Sequence, residues 1–67
     1  MFTNIFTSYL LDLDWMEAGP MVYRKRNSDI EIFFDTSNQI EVSKGDAGIG
    51  SFYLKDLNDL INVLDSI

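Results

Sequence analysis

Chain-breaking residues fall so close together in this sequence that they govern what it can fold into. Gly19-Pro20, Asn27-Ser28, Thr36-Ser37-Asn38 and the glycine-rich stretch from Gly45 to Gly50 divide it into short runs. Within the middle runs the side chains alternate. Ile30, Ile32 and Phe34 alternate with Glu31 and Phe33, Ile40 and Val42 alternate with Glu41 and Ser43, and Met21 to Arg26 is a third such run. A period of two is that of a sheet with one buried face. The last run differs: Leu54, Leu57, Leu60, Ile61, Leu64 and Ile67 recur at three and four residue spacing, opposite Lys55, Asp56, Asn58, Asp59, Asn62 and Asp65. That spacing predicts an amphipathic helix over about 54–66, with Ser51 just ahead of it and Asp56 in its first turn. The glycine-rich approach reads as a flexible connection in which Ile49 and Phe52 form a short extended piece.

Strand registers follow from asking which pairings put apolar residues on one face and opposite charges across from one another. A slip of one residue turns every side chain over. A two-residue turn at Asn27-Ser28 pairs Arg26 with Asp29, Arg24 with Glu31, Tyr23 with Ile32 and Met21 with Phe34. A three-residue loop at Ala18-Gly19-Pro20 pairs Asp12 with Arg26, Asp14 with Arg24, Trp15 with Tyr23 and Met16 with Val22. A loop of Thr36-Ser37-Asn38, with Asn38 in the left-handed position, sets Phe34 opposite Ile40, Ile32 opposite Val42 and Phe33 opposite Glu41. The expected fold is α+β: a four-stranded antiparallel β-meander, with strands at about 9–16, 21–26, 29–34 and 39–43, and one face covered by the C-terminal amphipathic helix. The inner face would carry Leu11, Leu13, Trp15, Met21, Tyr23, Ile30, Ile32, Phe34, Ile40 and Val42.

The N-terminal stretch fits two periods, because Phe2, Ile5, Phe6, Tyr9, Leu10 and Leu13 also recur at helical spacing and Gly19-Pro20 is a potential helix stop. A strand from Tyr9 is preferred. A helix reaching Ala18 would place Asp12, Asp14 and Glu17 toward its negative end and leave Arg24 and Arg26 without partners. Residues 1–8 are left as a helical turn or an added strand.

Composition narrows the function. At 67 residues the chain makes one domain spanning 1–67, and a domain of that size has a small core and marginal stability. Its apolar share of 46 % and charged share of 24 % are those of a globular protein and too hydrophobic for disorder. There is no cysteine, hence no disulfide, thiolate nucleophile or thiolate zinc site, and the expected location is the cytoplasm. There is no histidine, which removes the commonest general base and metal ligand. With 11 carboxylates against 5 basic side chains the net charge is -6, which repels nucleic-acid phosphates and argues against direct nucleic-acid binding. No stretch is long enough to span a membrane, no targeting segment is read, and no cofactor is expected.

The chemical constellations are weak ones. Asp12-Leu13-Asp14 lacks the further oxygen ligands and glycine of a calcium loop and is better explained by pairing with arginines. Glu31 and Glu41 on neighbouring strands have no nucleophile or oxyanion site near them, so an enzyme is not expected. Gly45 to Gly50 has no Lys-Ser/Thr step and carries Asp46 where a phosphate would bind. Alternation splits the basic triplet, sending Lys25 to the face opposite Arg24 and Arg26.

What remains is a surface. The registers place Met16, Val22 and Phe33 side by side on the outer face, where polar residues are usual, with Arg24 flanked by Asp14 and Glu31 in the adjacent row and Glu41 at the end. An apolar centre with a charged rim is the anatomy of a protein-binding surface. The competing account has Phe2, Ile5 and Phe6 fold back over that row as a second small core. The expected function is a non-enzymatic protein-binding module, by analogy of size and charge an inhibitor or modulator of the type that phages and mobile elements encode. A nucleic-acid mimic is a sharper form of the same idea, using Asp56, Asp59 and Asp65 on the exposed helix side with Asp35 and Asp46 in loops, against a partner that binds nucleic acid. The alternative class is a structural component that dimerises through the outer face or an exposed edge strand.

Overall fold

The computed structural model describes residues 4–67 as an antiparallel sheet with two helices. In chain order the elements are α1 (Ile5–Asp12), β1 (Trp15–Gly19), β2 (Val22–Lys25), β3 (Ile30–Phe34), β4 (Gln39–Lys44), β5 (Ala47–Tyr53) and α2 (Leu57–Ser66). The sheet order is β1-β2-β3-β4-β5, so every strand lies beside its sequence neighbour. Its central registers are those the alternation requires. Tyr23 faces Ile32 and Arg24 faces Glu31, while Ile32 faces Val42, Phe33 faces Glu41 and Phe34 faces Ile40. Tyr23, Ile32, Phe34, Ile40 and Val42 are buried, and the Tyr23 and Phe34 rings meet edge to face at 5.9 Å.

Among the described residues the sheet has five strands, not four. Gly45 and Asp46 make a tight turn from β4 into β5, with Gly45 at φ +60° and its amide donating to the Asp29 carbonyl at 3.0 Å. A Cβ on Gly45 would lie 3.2 Å from the carboxylate of the exposed Asp29 side chain, a tight contact that this side chain can relieve, so glycine is favoured there chiefly by the left-handed backbone. The presumed flexible connection is therefore a strand paired with β4 from Lys44↔Ala47 to Gln39↔Tyr53. A bulge at Ile49, where Val42 pairs with Gly50 and Ser43 with Gly48, interrupts its alternation and hides it in the sequence.

The expected strand at 9–16 is also corrected, since residues 5–12 are helical and β1 begins at Trp15. Asn4 caps α1 by accepting the Phe6 and Thr7 amides, both at 2.9 Å, and the Thr7 hydroxyl accepts the Asn4 amide at 2.8 Å. Phe6 and Leu10 are buried in the core, whereas Leu11 and Leu13, expected inside, are 44 % and 47 % exposed. An acidic residue at an exposed helix C-terminus costs about 0.3–1 kcal/mol, less than the roughly 1.5–3 kcal/mol from burying either Phe6 or Leu10, so the charge argument against a helix is too weak to decide.

Two contacts tie α1 to the sheet. Asn4 Nδ2 donates to the Ser37 carbonyl in the β3–β4 loop at 2.8 Å, and the buried Thr7 side chain hydrogen-bonds Tyr23. That loop closes through the Asp35 amide on the Gln39 carbonyl at 2.8 Å, and Asn38 does not take the left-handed conformation. Its side chain accepts from the Thr36 hydroxyl instead. Among the described residues the left-handed ones are Asp14, Met21, Asn27 and Gly45.

The β1–β2 register departs by two residues from the expected one: Trp15 faces Lys25, Met16 faces Arg24 and Glu17 faces Tyr23. The turn lies at Pro20-Met21 rather than Ala18-Gly19-Pro20, with a bulge between Glu17 and Gly19 absorbing the difference. An even shift preserves the faces, so Trp15 remains buried and Met16 outward. Asn27-Ser28 is the centre of a wider connection than two residues, because β2 ends at Lys25 and β3 begins at Ile30. Arg26 therefore pairs with Asp14, at 2.7 Å, rather than with Asp29 or Asp12.

At the C-terminal end the helix starts at Leu57, three residues later than the spacing suggests. Asp56 is its N-cap, and Ser51 belongs to β5. Leu60 and Val63 of α2 belong to the same buried cluster as Phe6 and Leu10 of α1. No helix among the described residues is long and apolar enough to cross a membrane.

Two outcomes test this arrangement. Leu10→Ala is expected to cost about 2–5 kcal/mol in chemical denaturation and Leu11→Ala less than about 1 kcal/mol; a strand at 9–16 would reverse that order. Burial, then the charge of Glu17, raises the Tyr23 hydroxyl above its ordinary value of 10.0, with the Thr7 hydrogen bond opposing. The folded state thus holds a proton that the unfolded chain releases first, so the contribution is complete below pH 10.0 and is lost as pH rises through the folded value. Stability should fall above about pH 10, and less steeply in Tyr23→Phe.

Candidate functional site

The outer face of the sheet is built from two transverse rows. Val22, Phe33, Glu41 and Ser51 are successive cross-strand partners in one, and Met16, Arg24, Glu31, Ser43 and Gly48 in the other. Val22 and Phe33 stand opposite each other as expected. Met16 does not join them: the shifted β1 register moves it one row, beside Arg24, where it is half exposed. Arg24 makes an ion pair with Glu31, its Nε donating to Oε2 at 2.9 Å. The pair is largely solvated and contributes at most about 1 kcal/mol. Asp14, expected on the other side of Arg24, lies in the α1–β1 turn on Arg26.

Phe33 is 39 % exposed in the middle of the sheet, and it forms one wall of an open groove of about 520 Å³. The groove runs across β4 to the bulge of β5, where the exposed Ile49 forms the other wall. It exists because the residues between are small. Gly48 has no side chain, Ser43 and Ser51 have short ones, and a Cβ on Gly48 would meet nothing within 4 Å. Among the described residues, Glu41, exposed and beside Phe33, is the one charged residue in the lining. An apolar slot with a single carboxylate suits a side chain that carries a cation on an aliphatic stem, as lysine and arginine do. Ile49, Gly48 and Gly50 were not among the residues expected at the surface. The signal was there in Lys44-Gly45-Asp46-Ala47, a glycine-containing hairpin turn, but the following glycines made the strand resemble a loop.

The other candidates are dispersed. Phe6 is in the core and Ile5 is exposed, so among the described residues α1 does not cover the outer row; Phe2 lies outside the described residues. Asp56 accepts the Asp59 amide at 3.1 Å, and Asp59 accepts the Lys55 amide at 2.8 Å. Both are occupied in starting α2, while Asp65 is exposed. Lys25, the last residue of β2 and the partner of Trp15, lines a hollow of about 250 Å³ with Leu13, Trp15, Leu64 and Ile67.

No protein-family model, curated protein or solved structure matches this chain, so function rests on the chemistry of its own surface. Asp56→Ala is expected to lower stability by about 1 kcal/mol in a urea titration, and Asp65→Ala by no more than about 0.5 kcal/mol. Equal effects would contradict the capping role of Asp56.

Proposed function

We propose that this protein is a non-enzymatic, acidic protein-binding module that acts by occupying a partner through the outer face of its sheet. The observation that carries the reading is the exposed Phe33, held over an apolar groove whose only charged lining residue, among those described, is Glu41. An aromatic side chain at the centre of a rigid sheet loses little freedom on binding, which is why such residues serve as anchors. Val22 extends the apolar row, and the Arg24–Glu31 pair forms part of its charged rim. The net charge of -6 would steer basic partners toward this face.

Within that class, a role as an inhibitor or modulator like those of phages and mobile elements rests on size and charge. Mimicry of nucleic acid has less support than the apolar surface, because two of its three helix carboxylates, Asp56 and Asp59, are engaged with backbone amides. The absence of cysteine supports action in the cytoplasm. The inner face is closed by α1 and α2 together in this reading, which the shared burial of Phe6, Leu10, Leu60 and Val63 supports. That closure leaves the outer face as the contact surface.

Phe33→Asp and Glu41→Lys test the assignment. Both positions are exposed, so both variants should unfold within a few degrees of the wild type while losing a partner that wild-type protein retains on affinity capture, by at least about tenfold in dissociation constant. Folded variants that keep every partner would place the contact elsewhere.

A further inference from the structure

We propose that the open edge of β5 pairs with β5 of a second copy of this chain, antiparallel and centred on Ser51, joining two sheets across a two-fold axis. Among the described residues the sheet has two edges, β1 and β5, and they are protected unequally. β1 has five residues, carries Glu17, is bulged, and is followed at once by Pro20. Charge, a bulge and proline are the devices that keep edges from pairing. β5 is the longest strand at seven residues, is exposed along most of its length, and contains no charged residue and no proline. Its one irregularity, the bulge at Ile49, leaves the segment from Gly50 to Tyr53 regular.

The backbone polarity of that segment is fixed by its neighbour. The Leu54 amide donates to the Asn38 carbonyl at 2.7 Å, and in an antiparallel ladder bonded and non-bonded positions alternate. The amides and carbonyls of Ser51 and Tyr53 therefore point away from β4, toward the open edge. A second copy laid antiparallel about Ser51 meets them with the same groups, so each Ser51 can donate to and accept from the other.

Side chains favour that register over its neighbours. Ile49 and Tyr53, both exposed on β5, become cross-strand partners and are covered twice by the one symmetry operation. Centring on Gly50 would set Ile49 against Ser51 and leave each Tyr53 opposite Ala47. At the strand ends this register sets Lys55 of each copy opposite Ala47 of the other and Asp46 opposite Asp56, so the pairing rests on the backbone groups and on Ile49 and Tyr53 rather than on charge. The pairing does not rest on the outer-face reading, because the edge offers backbone groups and leaves Phe33 and Glu41 open. It would set the two grooves on one side of a continuous sheet.

Sedimentation equilibrium of the whole chain, from micromolar to millimolar concentration, is the test. The wild type is expected to pass from monomer to dimer, with the Ser51 and Tyr53 amides gaining protection from hydrogen exchange as it does. Ser51→Pro removes an amide that the fold does not use, and the Ile49→Lys/Tyr53→Lys pair places charge on exposed positions. Each should weaken the dimer at least about tenfold, and Phe33→Asp should leave it unchanged. If Ser51→Pro disturbs folding by circular dichroism, the lysine pair alone decides. A wild type that stays monomeric at millimolar concentration overturns the proposal, as does a dimer that survives the lysine pair. Loss of the dimer in Phe33→Asp would also overturn it and would put the contact on the outer face.

Discussion

Parity along the central hairpins is the constraint on which the rest of this structure depends. Once Tyr23 faces Ile32, and Ile32 faces Val42, every alternate residue from β2 to β4 is committed to one side. Burial enforces that choice, since a slip of one residue would send Ile32, Phe34, Ile40 and Val42 into water at about 1.5–3 kcal/mol each. A short chain without covalent staples has no reserve to absorb such an error. The same parity puts Phe33 on the outside, so the exposed aromatic follows from the core rather than departing from it.

The two helices and the fifth strand complete what the hairpins begin. α1 is anchored at its start by Asn4, which bonds both its own first turn and the Ser37 carbonyl, and by Thr7, which meets Tyr23. Phe6 and Leu10 then share one core with Leu60 and Val63. β5 contributes in the opposite sense: Gly48 and the bulge leave space between Phe33 and Ile49 and an uncharged edge beyond. The acidity of the chain is spread among ion pairs, caps and loops, as Glu31, Asp14, Asp56 and Asp59 show. The surface is distinguished by its apolar groove more than by its charge.

The sequence by itself determined the β2–β3–β4 registers, the outward Phe33 and Glu41, and the amphipathic character of α2, because each is written in local period and in charge pairs whose partners are close in the chain. Three features were decided only by tertiary structure. Phe6 to Leu13 fits two periods, and only the space beneath the sheet selects the one that buries Leu10 and exposes Leu11. The two registers of β1 against β2 keep the same faces, and the bulge beyond Glu17 with the left-handed Met21 chooses the one that separates Met16 from Val22. Ala47 to Gly50 carries little side-chain pattern, so its identity as a strand comes from backbone pairing to β4. Side-chain period reports which face is buried, but it is silent where two periods coincide, where registers differ by an even step, and where glycine removes the side chain altogether.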